Sequence, residues 1–409
     1  MGYGKGEASR DFGTWPRYSR TCRRAVDRLL AAGGSLSAYR SNPNFPDWTG
    51  PSKGSWAYRL ERLAEDTFSV KHAIAVNSGT MALMAAIKGL DLPRGSEIIT
   101  TPYTFSATAS AILYMGHTPV FADVEPLHYC LDPDSAERRI TVKTRAIMPV
   151  DLFGGLADYG RLKRLGLPII QDACQAVGTS KKWLYGDVAT WSFNGAKNVP
   201  AGEAGMLVTD NDDIAKRARL FISHGENFLQ ARPRMLQDGD RDNIGINGRL
   251  NEPTACIAYY GMLEVEANND RRRVLADELY GLLCHRSELH LMGPDEIYHH
   301  ALYVYPFRLV DRTKISRRTF LERLKKLGVE AGGGYITPPL HKYGPLPAAR
   351  TPLRTVEELS DQSLVLLSQV RPPATKADMR YVATCIEAAL DGVIPPRLRK
   401  MGFISGNVF

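Results

Sequence analysis

Between residues 60 and 210, short apolar runs rich in β-formers alternate with longer stretches of helical character. The runs fall at Ala73–Val76, Glu97–Thr100, Pro119–Phe121, Ala146–Val150, Pro168–Ile170, Ala189–Phe193 and Met206–Val208. Several are apolar without interruption, as strands buried on both faces are. Such strand–helix alternation predicts an α/β domain around a mainly parallel sheet. A helix-rich stretch follows near residues 253–286. A strand at Tyr303–Leu309, a helix at Arg317–Leu327, a Gly-rich turn at Gly332–Gly334 and a helix at Lys376–Leu390 then read as a smaller α+β domain. The first 60 residues differ in kind: they are rich in Gly, Ser, Pro and Trp, and Asn42–Trp56 has the turn residues of a loop. Trp15, Trp48 and Trp56 lie there, as expected of a segment that packs over a body or a partner subunit. The pattern divides the chain into 1–60, a large domain over 61–255, and a linker helix with a small domain over 256–409.

Composition narrows the classes. With 44% hydrophobic and 23% charged residues in 409, the chain reads as an ordinary globular protein. No run of about 18 apolar residues is present, so no membrane span is expected. The start has no apolar core of a secretory signal, and Gly6 breaks the myristoylation pattern. Six scattered cysteines without a CxxC pair or a His at metal spacing read as reduced thiols, which points to the cytoplasm. The net charge of +8 comes from dispersed residues, the densest cluster being Arg271-Arg272-Arg273. It is expected to be a solvated basic surface, with no nucleic-acid role.

Three segments carry candidate chemistry. Asn77-Ser78-Gly79-Thr80 joins an apolar run to an Ala/Met/Leu-rich helix. A glycine there permits a tight turn, and the helix start offers free N–H groups and a positive dipole end, a seat for phosphate. The same residues also make an ordinary helix cap. Asp172 closes Leu167-Pro168-Ile169-Ile170-Gln171-Asp172, just past a strand end, where ligands of open α/β sheets bind. It could hold a pyridine nitrogen protonated, or simply cap the next helix. Lys197 follows a strand and a Gly-containing loop in Asp187–Lys197, where an amine can form a Schiff base with an aldehyde. Ser192, five positions earlier, is close enough to offer a hydroxyl to the same ligand's phosphate, while most lysines merely face solvent.

In this order along one α/β domain, the segments resemble the DegT, DnrJ and StrS family of sugar aminotransferases. The resemblance runs over about residues 60–390, in NSGTMAL (77–83), TPYTFSATASAI (101–112), GHTPVFADVEP (116–126), PVDLFG (149–154), QDACQAVGT (171–179), WSFNGAKN (191–198), GEAGMLVT (202–209), GINGRLNEPTA (245–255) and PPLHKYG (338–344). It implies fold type I of the pyridoxal-phosphate-dependent transferases, with a mainly parallel seven-stranded sheet flanked by helices. It also implies roles. Lys197 would hold pyridoxal 5'-phosphate as a Schiff base and then shuttle the proton. Asp172 would pair with the ring nitrogen, Gln175 would support the ring-oxygen side and Phe105 would stack on the ring. Gly79, Thr80 and Ser192 would bind phosphate. Asn247 would reach a phosphate across a homodimer interface, and His341 would lie near the substrate mouth. The implied reaction moves an amino group from glutamate or glutamine to a keto-sugar or keto-cyclitol. An aminodehydration of the aminohydroxybenzoate type and a non-catalytic binding role are the alternatives. The run Gly245-Ile246-Asn247-Gly248-Arg249 lacks two tyrosines usual in the family, and Gly202-Glu203-Ala204-Gly205 replaces a usual Gly-Glu-Gly-Gly.

Overall fold

The computed structural model describes residues 10–33, 36–37, 54–179, 184–225, 244–310 and 313–399. Residues 42–53 of the expected loop, Trp48 among them, lie outside these.

Among the described residues, seven strands lie between residues 72 and 209: β1 His72–Val76, β2 Glu97–Thr100, β3 Thr118–Phe121, β4 Thr144–Ile147, β5 Ile170–Asp172, β6 Val188–Ser192 and β7 Gly205–Thr209. Two ladders, β1-β7-β6-β5 and β3-β2-β4, are joined by parallel bridges Ile147↔Ile169 and Val150↔Asp172. The result is one sheet ordered β1-β7-β6-β5-β4-β2-β3, in which β7 alone runs against the others. The strands are short and almost wholly buried because helices cover both faces. β5 lies two residues later than expected. Its edges are polar, but Gln171 and Asp172 are both buried in the ladder, so Asp172 is the last residue of the strand rather than the first beyond it.

The helices here are α1 Arg20–Ala31, α2 Trp56–Phe68, α3 Gly79–Leu90, α4 Ser106–Tyr114, α5 Pro133–Glu137, α6 Tyr159–Lys163, α7 Asp212–Phe221 and the 32-residue α8 Glu252–Leu283. α3 follows from its Ala, Met and Leu content, with Ser78 capping it by accepting from the Met81 N–H. α2 is tied down by two buried carboxylates: Glu61 accepts from the Ala75 N–H and pairs with Arg219, and Glu65 accepts from the Ala73 N–H. Beyond α8, an antiparallel sheet ordered β10-β11-β9-β8 is built from β8 Leu289–His290, β9 Tyr305–Leu309, β10 Ala331–Gly333 and β11 Leu364–Leu367. The helices Arg317–Lys326 and Lys376–Asp391 pack on it around Phe307, Phe320, Met379 and Ile386. The expected Gly-rich turn is therefore partly strand. Residues 10–13 lie against this unit, through Arg10–Asp378 and Phe12–Tyr381.

The Arg271–Arg273 cluster is only partly a solvated surface: Arg271 is exposed, but its neighbours turn away from solvent. Successive helical residues point about 100° apart, and on α8 that sends Arg272 inward, 1% exposed. Its guanidinium lies 5.0 Å from the Trp15 ring centre and donates to the Leu302 carbonyl at 2.9 Å. Arg273 donates to the carbonyls of His300 and Gly178.

Candidate active site

Because the central strands are parallel, the carboxyl ends of β1, β5 and β6 open on the same side of the sheet, where ligands of such folds bind. A cavity of about 230 Å³ lies there. Seven of the nine expected residues line it: Gly79, Thr80, Phe105, Asp172, Gln175, Ser192 and Lys197.

Each is placed by a local cause. Gly79 and Thr80 begin α3, whose first N–H groups lack partners within the helix. Gly79 also has to be glycine, since a Cβ there would sit 2.8 Å from the Ser192 Cβ. Asp172 is 3% exposed, and residues 173–179 after it form turns rather than a helix, so it does not cap one there. Its carboxylate accepts from the Thr108 hydroxyl at 2.7 Å and the Cys174 N–H at 3.3 Å. Gln175 accepts from the Phe153 N–H at 2.8 Å and donates to the Tyr335 hydroxyl at 2.9 Å. Phe105 precedes α4 and is 58% exposed at the cavity edge. Lys197 is half-buried rather than facing solvent, and its Nζ lies 4.3 Å from the centre of the Tyr303 ring.

The other two stand apart. Asn247 is exposed, bridges to Ser223 and accepts from Asn77 through its carbonyl, so it lies beside the phosphate turn without lining this cavity. His341 is largely enclosed, 3.5 Å from Glu357, and does not line the cavity either. Burial depresses its pKa.

The sequence reading gave no role to Thr108, Cys174, Tyr303 or Tyr335. Thr108 and Cys174 lie within quoted segments, but nothing local singles out their side chains from their neighbours. Tyr303 and Tyr335 come from the C-terminal half, with nothing local to mark them. Cys174 keeps its proton, its pKa raised well above that of a free thiol by burial and then by Asp172. Behind Asp172 sits Asp151, wholly buried. It accepts from the Ala157 N–H, the Tyr159 hydroxyl and the Gln171 amide. Burial nonetheless pushes its pKa up to about 7.

A helix start, a buried carboxylate facing the same space and a half-buried amine are the donor set a pyridoxal phosphate requires at its phosphate, ring nitrogen and aldehyde. Fold and site define the class: a pyridoxal-phosphate-dependent transferase of fold type I. Residues 48–387 match the model of the DegT/DnrJ/EryC1/StrS aminotransferase family, and the chain belongs to that family.

Among relatives, the 3-oxo-glucose-6-phosphate:glutamate aminotransferase of Bacillus subtilis (strain 168) is 31% identical over 277 residues. That match spans 65% of this chain and 61% of the relative's length. A UDP-N-acetyl-3-dehydro-alpha-D-glucosamine 3-aminotransferase of Acidithiobacillus ferrooxidans is 31% identical over 352 residues, 83% of this chain and 90% of its own. The crystal structure of NtdA from Bacillus subtilis, with bound cofactor PMP, superposes with a TM-score of 0.74 at 26% identity. It covers 90% of this chain and 83% of that one.

Proposed function

We propose that the chain transfers an amino group from glutamate or glutamine to a keto-sugar, nucleotide-linked or free, or to a keto-cyclitol, with pyridoxal phosphate bound through Lys197. When bound, the cofactor supplies a protonated ring that takes up the negative charge left on a carbon losing its proton. The protein's residues do the rest. α3 and Ser192 hold the phosphate. Thr108 and the Cys174 N–H fix the Asp172 carboxylate against the ring nitrogen. Phe105 would offer an apolar surface to the ring. Lys197 would hold the aldehyde end and, as general base and then acid, would take and return the proton of the donor carbon at its Nζ.

The observation that carries this reading is that Lys197 and Asp172 line one small cavity together with the start of α3. The names of the relatives support a keto-sugar acceptor. We further propose a homodimer in which the exposed Asn247 turns toward the other protomer's phosphate. A cytoplasmic location is supported by six free thiols. No helix among the described residues is long and apolar enough to cross a membrane.

The test is direct. Protein reconstituted with pyridoxal phosphate and reduced with borohydride should carry the cofactor on Lys197 by peptide mapping. Glutamate or glutamine should then aminate a keto-sugar or keto-cyclitol, read by mass. A protein that takes up no cofactor refutes the reading. Amination and dehydration of a cyclic dehydroshikimate-like acid, with no keto-sugar turned over, would replace it with the aminodehydratase.

A further inference from the structure

The core-facing stripe of α8 is apolar at Met262, Val265 and Ala276, yet Asn269, in its middle, is 0% exposed. An amide in such surroundings is costly unless both its ends are paired. Asn269 is paired at both. It donates to the Val177 carbonyl at 2.9 Å and accepts from the Asn198 side-chain amide at 2.8 Å. Asn198 follows Lys197 directly and is 3% exposed, and the same amide nitrogen donates to the Ala301 carbonyl at 2.8 Å.

These contacts join the three segments that line the cavity on this side. One is the Lys197 loop. The second is the turn after Asp172 and Gln175, where Gly178 has φ +84° and leaves the space Asn269 uses: a Cβ there would lie 2.2 Å from the Asn269 amide. The third is the run Ala301–Tyr303, whose backbone N–H groups also bond Gly154 and Phe153, and whose Tyr303 ring faces the Lys197 amine.

We infer that Asn198 and Asn269 are a positioning pair that fixes the Lys197 amine against Tyr303 and Asp172. The inference rests on the reading of Lys197 proposed above. The two amides act through the lysine and touch no ligand themselves. Among the described residues, the backbone N–H of Lys197 bonds only within its own loop, to the Asn194 carbonyl. With the pair intact, the amine returns to one place after each displacement. Without it, the loop is free to shift while the phosphate and ring contacts stay. Proton transfer falls steeply with small misplacement, so the loss belongs in kcat.

The experiment compares Asn198→Ala, Asn269→Leu and the double variant in the reconstituted full chain. It measures the pyridoxal phosphate fixed to Lys197 by borohydride, the melting temperature, and kcat and KM for the half-reaction with glutamate followed by absorbance. Each single variant should retain the adduct and lose about tenfold or more in kcat, with KM within about threefold, the sign of an interaction acting after binding. The double variant should lose no more than the worse single, because residues acting as one unit are not additive. Single variants within about twofold of wild type, or a double variant whose loss is the product of the two, would overturn the pair. A lowered melting temperature with unchanged kcat would likewise reduce it to a packing contact. If Asn269→Leu does not fold, Asn198→Ala decides by the same kcat and KM outcomes. A wild-type protein with no adduct at Lys197 instead refutes the functional reading, and the two failures are thus distinct.

Discussion

Two residues carry the proposed chemistry, and each has a different structural burden. Lys197 is half-buried beside Tyr303 and serves no packing cluster. Lys197→Ala should abolish turnover, while the melting temperature stays within a few degrees of wild type. Near-normal turnover would remove Lys197 from its role. Asp172 is fixed by the Thr108 hydroxyl and the Cys174 N–H. Asp172→Asn keeps an oxygen for Thr108 but loses the negative charge that favours a protonated ring. The half-reaction should slow by about 100-fold or more, on the scale of losing a group that supports charge in the transition state. A loss of only a few-fold would count against the pairing. Both residues could be singled out in the sequence because Asp172 ends a strand and Lys197 follows one through a short loop, each in a quoted segment. Thr108 could not, since nothing local distinguishes its hydroxyl from the others of the same threonine- and serine-rich run.

At the scale of the element, α3 is the feature that turns backbone into a binding group. At its start, Gly79 lets Ser192 come close, as the proposed phosphate seat needs. Gly79→Ala forces one of them to move, and the phosphate seat moves with it. Pyridoxal phosphate affinity should fall by about tenfold or more, read by fluorescence titration, a loss of about 1.4 kcal/mol. Unchanged affinity would show that the phosphate sits elsewhere. The sequence located this helix and the strand before it because Ala/Met/Leu content and an apolar run are local properties. It misjudged α8 at one point. A triplet of arginines looks like a charged surface, but helical geometry assigns neighbours to different faces, and Arg272 went into the core. The same geometry put Asn269 on the inner stripe, which no count of polar residues reveals.

Across the whole molecule, buried ionisable groups set the response to acid. His300 is 8% exposed and accepts from the Leu302 N–H through Nδ1. Burial, with His128 and Arg273 adding to it, lowers its pKa to about 3 from an ordinary 6.5. The unfolded chain therefore binds a proton at this ring below pH 6.5 that the folded chain refuses until about pH 3. The contribution is complete above that upper value and is lost as pH falls through the window. A His300→Asn variant keeps an acceptor for Leu302 but has no such proton. It should be less stable than wild type at neutral pH, with the difference closing as the pH is lowered toward 4, read by urea unfolding. A difference independent of pH would show that His300 does not titrate on unfolding. Asp151 works in the other direction: with its pKa raised to about 7, it favours the folded state most in acid and loses that preference as pH rises.

The sequence by itself determined the order of strands and helices in the large sheet, the α/β class, and which residues near strand ends line the cavity, because each of these is written in neighbours along the chain. The tertiary structure alone decided that Tyr303 and Tyr335 complete the cavity, that Asn247 and His341 stand outside it, and that Asn269 reaches the loop of Lys197. Those relations join residues 70 or more positions apart, such as Asn198 and Asn269 with a separation of 71, and only the packing of α8 against the sheet brings them within hydrogen-bond distance.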